Sequence, residues 1–369
     1  MSRFLTPLAA GLPSSVPFTG PEALERRSGR PFRARLGANE SLFGPSPRAV
    51  AAMERAAGEV WMYADPEAHD LKAALAAHHG CSPGHVVVGA GIDTLLGLLC
   101  RLTVAPGTAV VTSLGAYPTF NYHVEGYGGR LVRVPYCGVQ EDPAALLAAA
   151  RAEGARLVYL ANPDNPMGSH QPGTVIEAMV ADLPGDRLLV LDEAYADLAP
   201  PEALPRIAPD HPQVIRFRTF SKGHGMAGAR VGYALAEPGL ARAFDKVRDH
   251  FGMGRIALAG AQAALADGDW LADVRARVVA ARARMAQIAA ENGLAALPSA
   301  TNFVAVDCGR DGDFARRVLA ECLERGLFIR MPGVAPLDRH IRVSLGDTAA
   351  LDVVAEVLPQ ALAAARRGG

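Results

Sequence analysis

Seven short runs rich in aliphatic and β-branched residues alternate with longer segments between residues 85 and 235. They cover 85–88, 109–112, 130–134, 157–160, 188–191, 214–218 and 231–234. The alanine- and leucine-rich stretches between several of them, such as 94–102 and 143–152, have the length and composition of helices. Near-continuous apolar strands separated by helices predict a mainly parallel sheet covered on both faces. In such a sheet ligands bind beyond the carboxyl ends of the strands. After residue 260 the pattern changes. Helical patterns at 262–266 and 270–292 lead to strand-like 302–306, a helix near 313–325, strand-like 327–329 and 341–344, and a closing helix near 349–364. This predicts a smaller α+β C-terminal domain. The expected division is an N-terminal arm at 1–35 that joins the small domain, a large domain at 36–260 and the small domain at 261–369.

Composition narrows the function. The chain carries 37 basic and 38 acidic residues without a block of like charge, so no nucleic-acid footprint or polybasic membrane patch is expected. No uninterrupted apolar stretch approaches the ~20 residues of a membrane helix. The start carries one basic residue and an early proline and reads as no secretory signal. The five cysteines are odd in number and widely spaced. They predict small buried hydrophobes in a reducing cytoplasm, not a disulfide framework or a zinc site.

Only three of the 37 basic residues are lysines, Lys72, Lys222 and Lys246. Arginine stays protonated and forms no Schiff base, whereas a desolvated lysine can lose its proton and form one. Lys72 and Lys246 fall in amphipathic helical contexts that predict a solvated face. Lys222 sits in Thr219-Phe220-Ser221-Lys222-Gly223, just past an apolar run.

Four loops fall where the sheet would hold a ligand. Gly89-Ala90-Gly91-Ile92-Asp93-Thr94 opens a helix, and its small residues let backbone N–H groups approach an anion; a plain glycine turn is the alternative. Asn162-Pro163-Asp164-Asn165-Pro166-Met167-Gly168 is a stiff turn whose asparagine amides could reach a ligand oxygen. Asp192, in Leu191-Asp192-Glu193-Ala194-Tyr195, ends an apolar strand, which is costly unless it is paired with a protonated ring nitrogen or a metal. No His or Asp/Glu cluster supports the metal. Ser221, Lys222 and Arg230 together suit one phosphate and one carbonyl. A phosphate cradle, an oxygen-binding Asn, an acid for a ring nitrogen and a Schiff-base lysine are what pyridoxal 5'-phosphate requires.

Taken in order, these motifs resemble the fold-type I, class I/II pyridoxal-phosphate aminotransferases, and most of all their histidinol-phosphate aminotransferase branch. Asn39-Glu40, Tyr63-Ala64-Asp65-Pro66, Pro118-Thr119-Phe120 and Arg342-Val343-Ser344 extend the likeness over roughly residues 35–365. The resemblance implies an aspartate aminotransferase-like fold with a seven-stranded sheet. It implies that Lys222 links to the cofactor and shuttles the proton, and that Asp192 pairs with the pyridinium nitrogen. Asn165 and Tyr195 would bond the ring oxygen, and Phe120 would stack on the ring. The Ala90 and Gly91 amides, Ser221 and Arg230 would hold the phosphate, with Ile92 beside them. Tyr63 would reach the cofactor of a partner chain, which implies a homodimer. Arg342 would fork the substrate carboxylate, Arg330 would take a second anionic group, and Asn39 would also face the substrate. The implied reaction moves an amino group from an amino acid or amino-alcohol phosphate to a 2-oxo acid. An aromatic aminotransferase or a threonine-phosphate-decarboxylase-like lyase are the alternatives. A regulator built on this fold would need a DNA-binding module, for which 35 residues are too short.

The chain departs from the family pattern at several points. Phe18 stands where the family has a tyrosine, Met167 where it has a threonine, and His224 lies in the lysine loop. Arg248, His250 and Arg255 are expected to add charge near the entrance.

Overall fold

The computed structural model describes residues 3–13 and 18–367. All seven expected strands form, each within one residue of its predicted ends. They are β1 (Val86–Gly89), β2 (Ala109–Ser113), β3 (Arg130–Val134), β4 (Leu157–Ala161), β5 (Leu188–Asp192), β6 (Val214–Thr219) and β7 (Gly232–Leu235). They make one sheet in the order β1-β7-β6-β5-β4-β2-β3. Only β7 runs against its neighbours, β1 and β6. Side chains alternate across the sheet as the two-residue period requires. Leu157 and Tyr159 of β4 pack with Leu95, Leu99 and Phe120 on one face. Val158 and Leu160 pack with Leu146, Leu147 and Ile176 on the other. β3 is one of the two edge strands and the most exposed of the seven: Arg133 bonds Glu125 at 2.7 Å, and Arg130 bonds Glu153 at 2.9 Å.

The topology gathers the loops at one edge. Six parallel strands bring their carboxyl ends there. The antiparallel β7 starts there, because Gly232 lies opposite both Gly89 and Thr219. Arg230, two residues before that start, therefore reaches the same edge as Gly91 and Lys222. Gly232 makes this approach possible: a Cβ on it would lie 2.8 Å from the Ile92 nitrogen and 2.9 Å from the Gly91 carbonyl carbon.

The second domain has a small sheet. Strand Phe303–Asp307 pairs antiparallel with His340–Ser344 and, at its other edge, with Ala295–Ala296. Helices Gly268–Glu291, Gly312–Glu324 and Thr348–Arg367 bury Val274, Phe314, Val318, Leu351 and Leu358 around it. The last helix is long and apolar enough to cross a membrane by length and composition. Its Leu351, Val354, Leu358 and Leu362 belong to this core, as in a core helix of a folded domain. The segment Ala34–Arg35 pairs parallel with Leu327–Phe328 and so ties the start of the chain to this domain.

Some expectations are corrected. The stretch read as an aperiodic arm holds two short helices, Pro7–Gly11 and Pro21–Ser28. Each opens on a proline whose fixed φ suits a first helical turn, a local signal that periodicity does not register. Lys72 is only partly exposed, and burial lowers its pKa. Cys100, Cys308 and Cys322 are buried as expected, but Cys137 is exposed in a loop.

Replacing Gly232 by alanine should push the 91–92 turn away from the sheet and cost about 1–3 kcal/mol of stability. Urea unfolding measures this; an unchanged midpoint would show that the turn yields freely.

Candidate active site

A cavity of about 740 Å³ opens between the carboxyl edge of the large sheet and the small domain. Lys222, Asp192, Tyr195, Asn165, Arg342 and Arg330 all line it. Residues far apart in sequence meet here because Asp192, Tyr195, Asn165 and Lys222 lie at or just past the carboxyl ends of neighbouring strands, and the small domain brings Arg330 and Arg342 over them.

Lys222 lies three residues past β6. Its Nζ donates to the backbone carbonyl of Asn39 at 2.9 Å and sits 5.7 Å from the Tyr195 ring centre. Burial, and then the positive fields of Arg342 and Arg230, pull its pKa down from 10.5 to about 8, against the opposing fields of Glu40 and Asp93. The neutral amine, the nucleophilic form, is thus within reach near neutral pH. Next to it the Ser221 N–H donates to Thr219 Oγ1 at 3.0 Å, and that hydroxyl donates to Ser221 Oγ at 2.9 Å.

Asp192 ends β5. Tyr159 donates its hydroxyl to Asp192 Oδ2 at 2.7 Å, and the Ala194 N–H donates to Oδ1 at 2.9 Å. Burial raises its pKa to about 6. No cation bonds it among the described residues. A buried carboxylate of this kind favours a neighbour that brings a positive N–H.

The anion side is also prepared. Gly91, at φ +89, caps the helix Ile92–Thr103 and offers no side-chain partner to its first amides. A Cβ on Gly91 would fall 2.3 Å from Arg230 Nη2. Arg230 is exposed, holds the left-handed φ of 56° and forms no ion pair among the described residues. Its Nη1 donates to the Ala227 carbonyl at 2.9 Å. Free helix amides, a hydroxyl and an uncommitted guanidinium suit a phosphate.

A second pair of cations faces the opening. Arg330 and Arg342 pair through their backbones, with N–H···O distances of 3.2 and 2.7 Å. Arg342 Nη1 donates to Asn165 Oδ1 at 2.5 Å, and Nη2 donates to the Gly37 carbonyl at 3.1 Å. Its guanidinium lies 5.3 Å from the Phe303 ring centre, and its buried Nε has no partner. Arg330 lies over the Phe328 ring and donates to the Thr19 carbonyl at 2.5 Å. Neither guanidinium meets a carboxylate among the described residues.

The structure brings together most of the expected residues. Asn39, buried, donates from Nδ2 to the Tyr195 hydroxyl at 3.0 Å. Ile92 lines the cavity, while the Ala90 carbonyl accepts from Thr94 Oγ1. Phe120 is a correction. It is wholly buried and stacks on Tyr159 at 4.7 Å within the core, away from the cavity. Tyr117, three residues earlier at the cap of helix Pro118–Gly126, presents its ring there instead. Tyr63 does not reach this chain's own cavity; it is 76% exposed and packs on Phe251. Arg248 and Arg255 are corrected as well. They bond Pro66, Glu59 and Tyr63 beside that aromatic pair and do not line the cavity, and neither does His250. Met167 is wholly buried in a small cluster with Ala305 and Leu337. His224 is buried against Phe220 and 3.7 Å from Asp197.

Three contributors escaped the sequence. Tyr117 was readable in the Tyr-Pro-Thr-Phe motif, but which aromatic faces the cavity depends on the helix start. Tyr159 and the Gly37 carbonyl act through strand register and a fold-back that no local pattern announces.

The fold and the site define a pyridoxal-phosphate enzyme: the Gly91 cradle, the buried Asp192 without a cation and the amine with lowered pKa fit that group together. The chain belongs to the class I and II aminotransferases, whose family profile matches residues 34–358. It is 35% identical over 338 residues to histidinol-phosphate aminotransferase 2 of Ralstonia nicotianae, covering 90% of each chain. It is 32% identical to the histidinol-phosphate aminotransferase of Moorella thermoacetica, covering 90% of this chain and 86% of that one. The crystal structure of the Sinorhizobium meliloti histidinol-phosphate aminotransferase with pyridoxal-5'-phosphate superposes at a TM-score of 0.95, with 55% identity and 98% of each chain covered. The aspartate aminotransferase of Thermus thermophilus shares the fold at a TM-score of 0.81.

In the apoprotein the Lys222 amine should titrate near pH 8, well below an ordinary lysine near 10.4. Carbon-13 methylation and NMR can follow it beside Lys72 and Lys246; a Lys222 midpoint near 10 would contradict the electrostatics.

Proposed function

We propose that this aminotransferase takes its amino group from a donor whose anionic group is a phosphate, of the histidinol-phosphate type, and passes it to a 2-oxo acid such as 2-oxoglutarate, which brings two carboxylates. One observation carries the reading. Two arginines, bridged by their backbones and free of acidic partners, face one cavity beside the reactive lysine. Two cations imply two anionic groups to be bound at different times or on different substrates. Arg342 would fork a carboxylate, with its Nε and Nη groups presented edge-on. Arg330 would take the second anion. Phe18 brings no hydroxyl to that anion, but it stacks on Tyr117 with ring centres 6.0 Å apart and a 21° tilt. That aromatic wall favours a planar ring on the donor, and it supports aromatic amino acids as a second reading.

The residues divide the work as follows. Asp192 holds positive charge at the ring nitrogen. Asn165 and Tyr195 bond the ring oxygen. The Ala90, Gly91 and Ile92 turn, Ser221 and Arg230 hold the phosphate, and Tyr117 in place of Phe120 covers the ring. When bound, pyridoxal phosphate supplies a ring that stabilises a carbanion at the carbon bearing the amine. Lys222 Nζ would accept the proton from that carbon as general base and give it back as general acid, which is the 1,3-proton shift that transamination needs. Asn39 keeps Nζ aimed through its carbonyl and faces the substrate beside it.

We also propose a homodimer in the cytoplasm, with Tyr63 serving the partner's site. Val60, Trp61, Tyr63 and Phe251 expose large apolar groups on one patch, which a second copy would cover. The domain limits near residues 35 and 260 follow the same division, since Ala34–Arg35 pairs with the small domain.

Single donors mixed with stoichiometric loaded enzyme and no acceptor test the substrate. One equivalent of oxo product from histidinol phosphate, and little from phenylalanine or glutamate, is expected. Repeated release of CO2 from phosphothreonine would indicate the lyase instead. Lys222→Ala should lower turnover by at least about 10²–10⁴-fold. Arg342→Ala should raise KM for the 2-oxo acid about 30-fold or more, the loss of about 2 kcal/mol.

A further inference from the structure

Behind the cavity, under Asn165, two carboxyl groups meet in the interior. Glu141 and Asp164 are each 2% exposed. Glu141 joins the carboxyl ends of two neighbouring site strands. Its Oε2 accepts from Ser113 Oγ of β2 at 2.6 Å, and its Oε1 accepts from the Ala161 N–H of β4 at 3.1 Å. Asp164 organises the turn that carries Asn165. Its Oδ2 accepts from the Met167 N–H at 3.1 Å, and its Oδ1 accepts from the Tyr136 hydroxyl at 2.9 Å. The two carboxyl groups are also hydrogen-bonded to each other. Ionised carboxylates only accept, so such a bond requires a proton.

We propose that Glu141 and Asp164 are a one-proton positioning pair: Glu141 carries the proton and donates it to the Asp164 carboxylate, and this bond sets the turn from which Asn165 aims Arg342. Neither residue touches substrate; they act through Asn165 Oδ1, which accepts from Arg342 Nη1. The surroundings favour a shared proton. Among the described residues neither carboxyl group forms an ion pair. Tyr136 and Tyr159 stay neutral phenols because burial raises their pKa, as it does for Tyr195. Arg342 is a cation that faces Asp164, and it lowers the Asp164 pKa less than the hydrogen bonds from Met167, Tyr136 and Glu141 do. Burial and then the Asp164 charge push the Glu141 pKa well above 4.5. Two like charges in so dry a place cannot both ionise at neutral pH.

The test has two arms on the full chain. In the unfolded chain Glu141 ionises near pH 4.5, while the folded chain keeps the proton. The unfolded state therefore binds fewer protons, and stability falls as pH rises until the folded group itself ionises. Above about pH 6, where Asp164 is ionised, the wild-type folding constant should fall more steeply with pH than that of Glu141→Gln, by up to about tenfold per pH unit, because the Gln amide donates without titrating. Equal slopes in urea unfolding would overturn the shared proton. In the second arm Glu141→Ala should raise KM for the 2-oxo acid about tenfold with a smaller change in kcat, and Glu141→Gln should restore it. An alanine variant with normal KM would overturn the positioning role. If that variant does not fold, the slope of the Gln variant decides. The KM arm rests on Arg342 as the carboxylate site; the slope arm does not. Failure of that reading would show as an unaltered KM in Arg342→Ala with the slope difference intact.

Discussion

The bond from Lys222 Nζ to the Asn39 carbonyl is the contact on which the site depends. Asn39 occupies the left-handed region at φ 55°, a conformation that asparagine tolerates better than most residues. The small domain holds it there. Its N–H donates to Ser344 Oγ at 2.9 Å, that hydroxyl donates back to Asn39 Oδ1 at 3.1 Å, and Asn302 Nδ2 donates to the same carbonyl that Lys222 uses. Its amide reaches Tyr195 on the large domain. One residue near the start of the chain thus fixes the lysine, the phenol and the arginine-bearing strand His340–Ser344 in one frame. Catalytic geometry of this kind depends on the supporting shell as much as on the reacting groups.

Electrostatics complete the arrangement. The cavity gathers Lys222, Arg230, Arg330 and Arg342, with Glu40, Asp93 and the buried Asp192 as its acids. Crowding among the cations helps to lower the lysine pKa, and burial does most of that work. The next residue after Asp192 shows how strand alternation separates two carboxylates. Burial pushes Glu193 up, but the charges of Arg218 and Arg216, bonded to it at 2.9 Å each, bring it down to about 2. Asp192, with a phenol and an amide for partners, rises to about 6. Asp192 faces the cavity without a cation of its own; Glu193 is locked in an ion pair whose rupture would cost about 3–5 kcal/mol.

Much of this was legible in the sequence, for reasons that differ by residue. The seven strands showed because buried parallel strands are written as uninterrupted apolar runs, and the loops after them marked the site edge. Lys222 stood out because arginine supplies almost every other positive charge. What stayed hidden depends on direction. Phe120 and Tyr117 both lie in one motif, and only the helix start decides that Phe120 packs on Tyr159 while Tyr117 faces the cavity. Arg248 and Arg255 looked like entrance charges, but their partners Pro66, Glu59 and Tyr63 are distant in sequence. The Glu141–Asp164 contact joins two loops across β2 and β4, and register alone creates it.

Every step of the proposed chemistry requires Lys222 as the covalent anchor of pyridoxal phosphate. Borohydride reduction of the loaded enzyme, followed by peptide mass spectrometry, tests it directly because the chain offers only three lysines. One phosphopyridoxyl group per chain is expected, on the peptide containing Lys222. The same group on Lys72 or Lys246, or a loaded enzyme that reduction leaves unmodified, would contradict it.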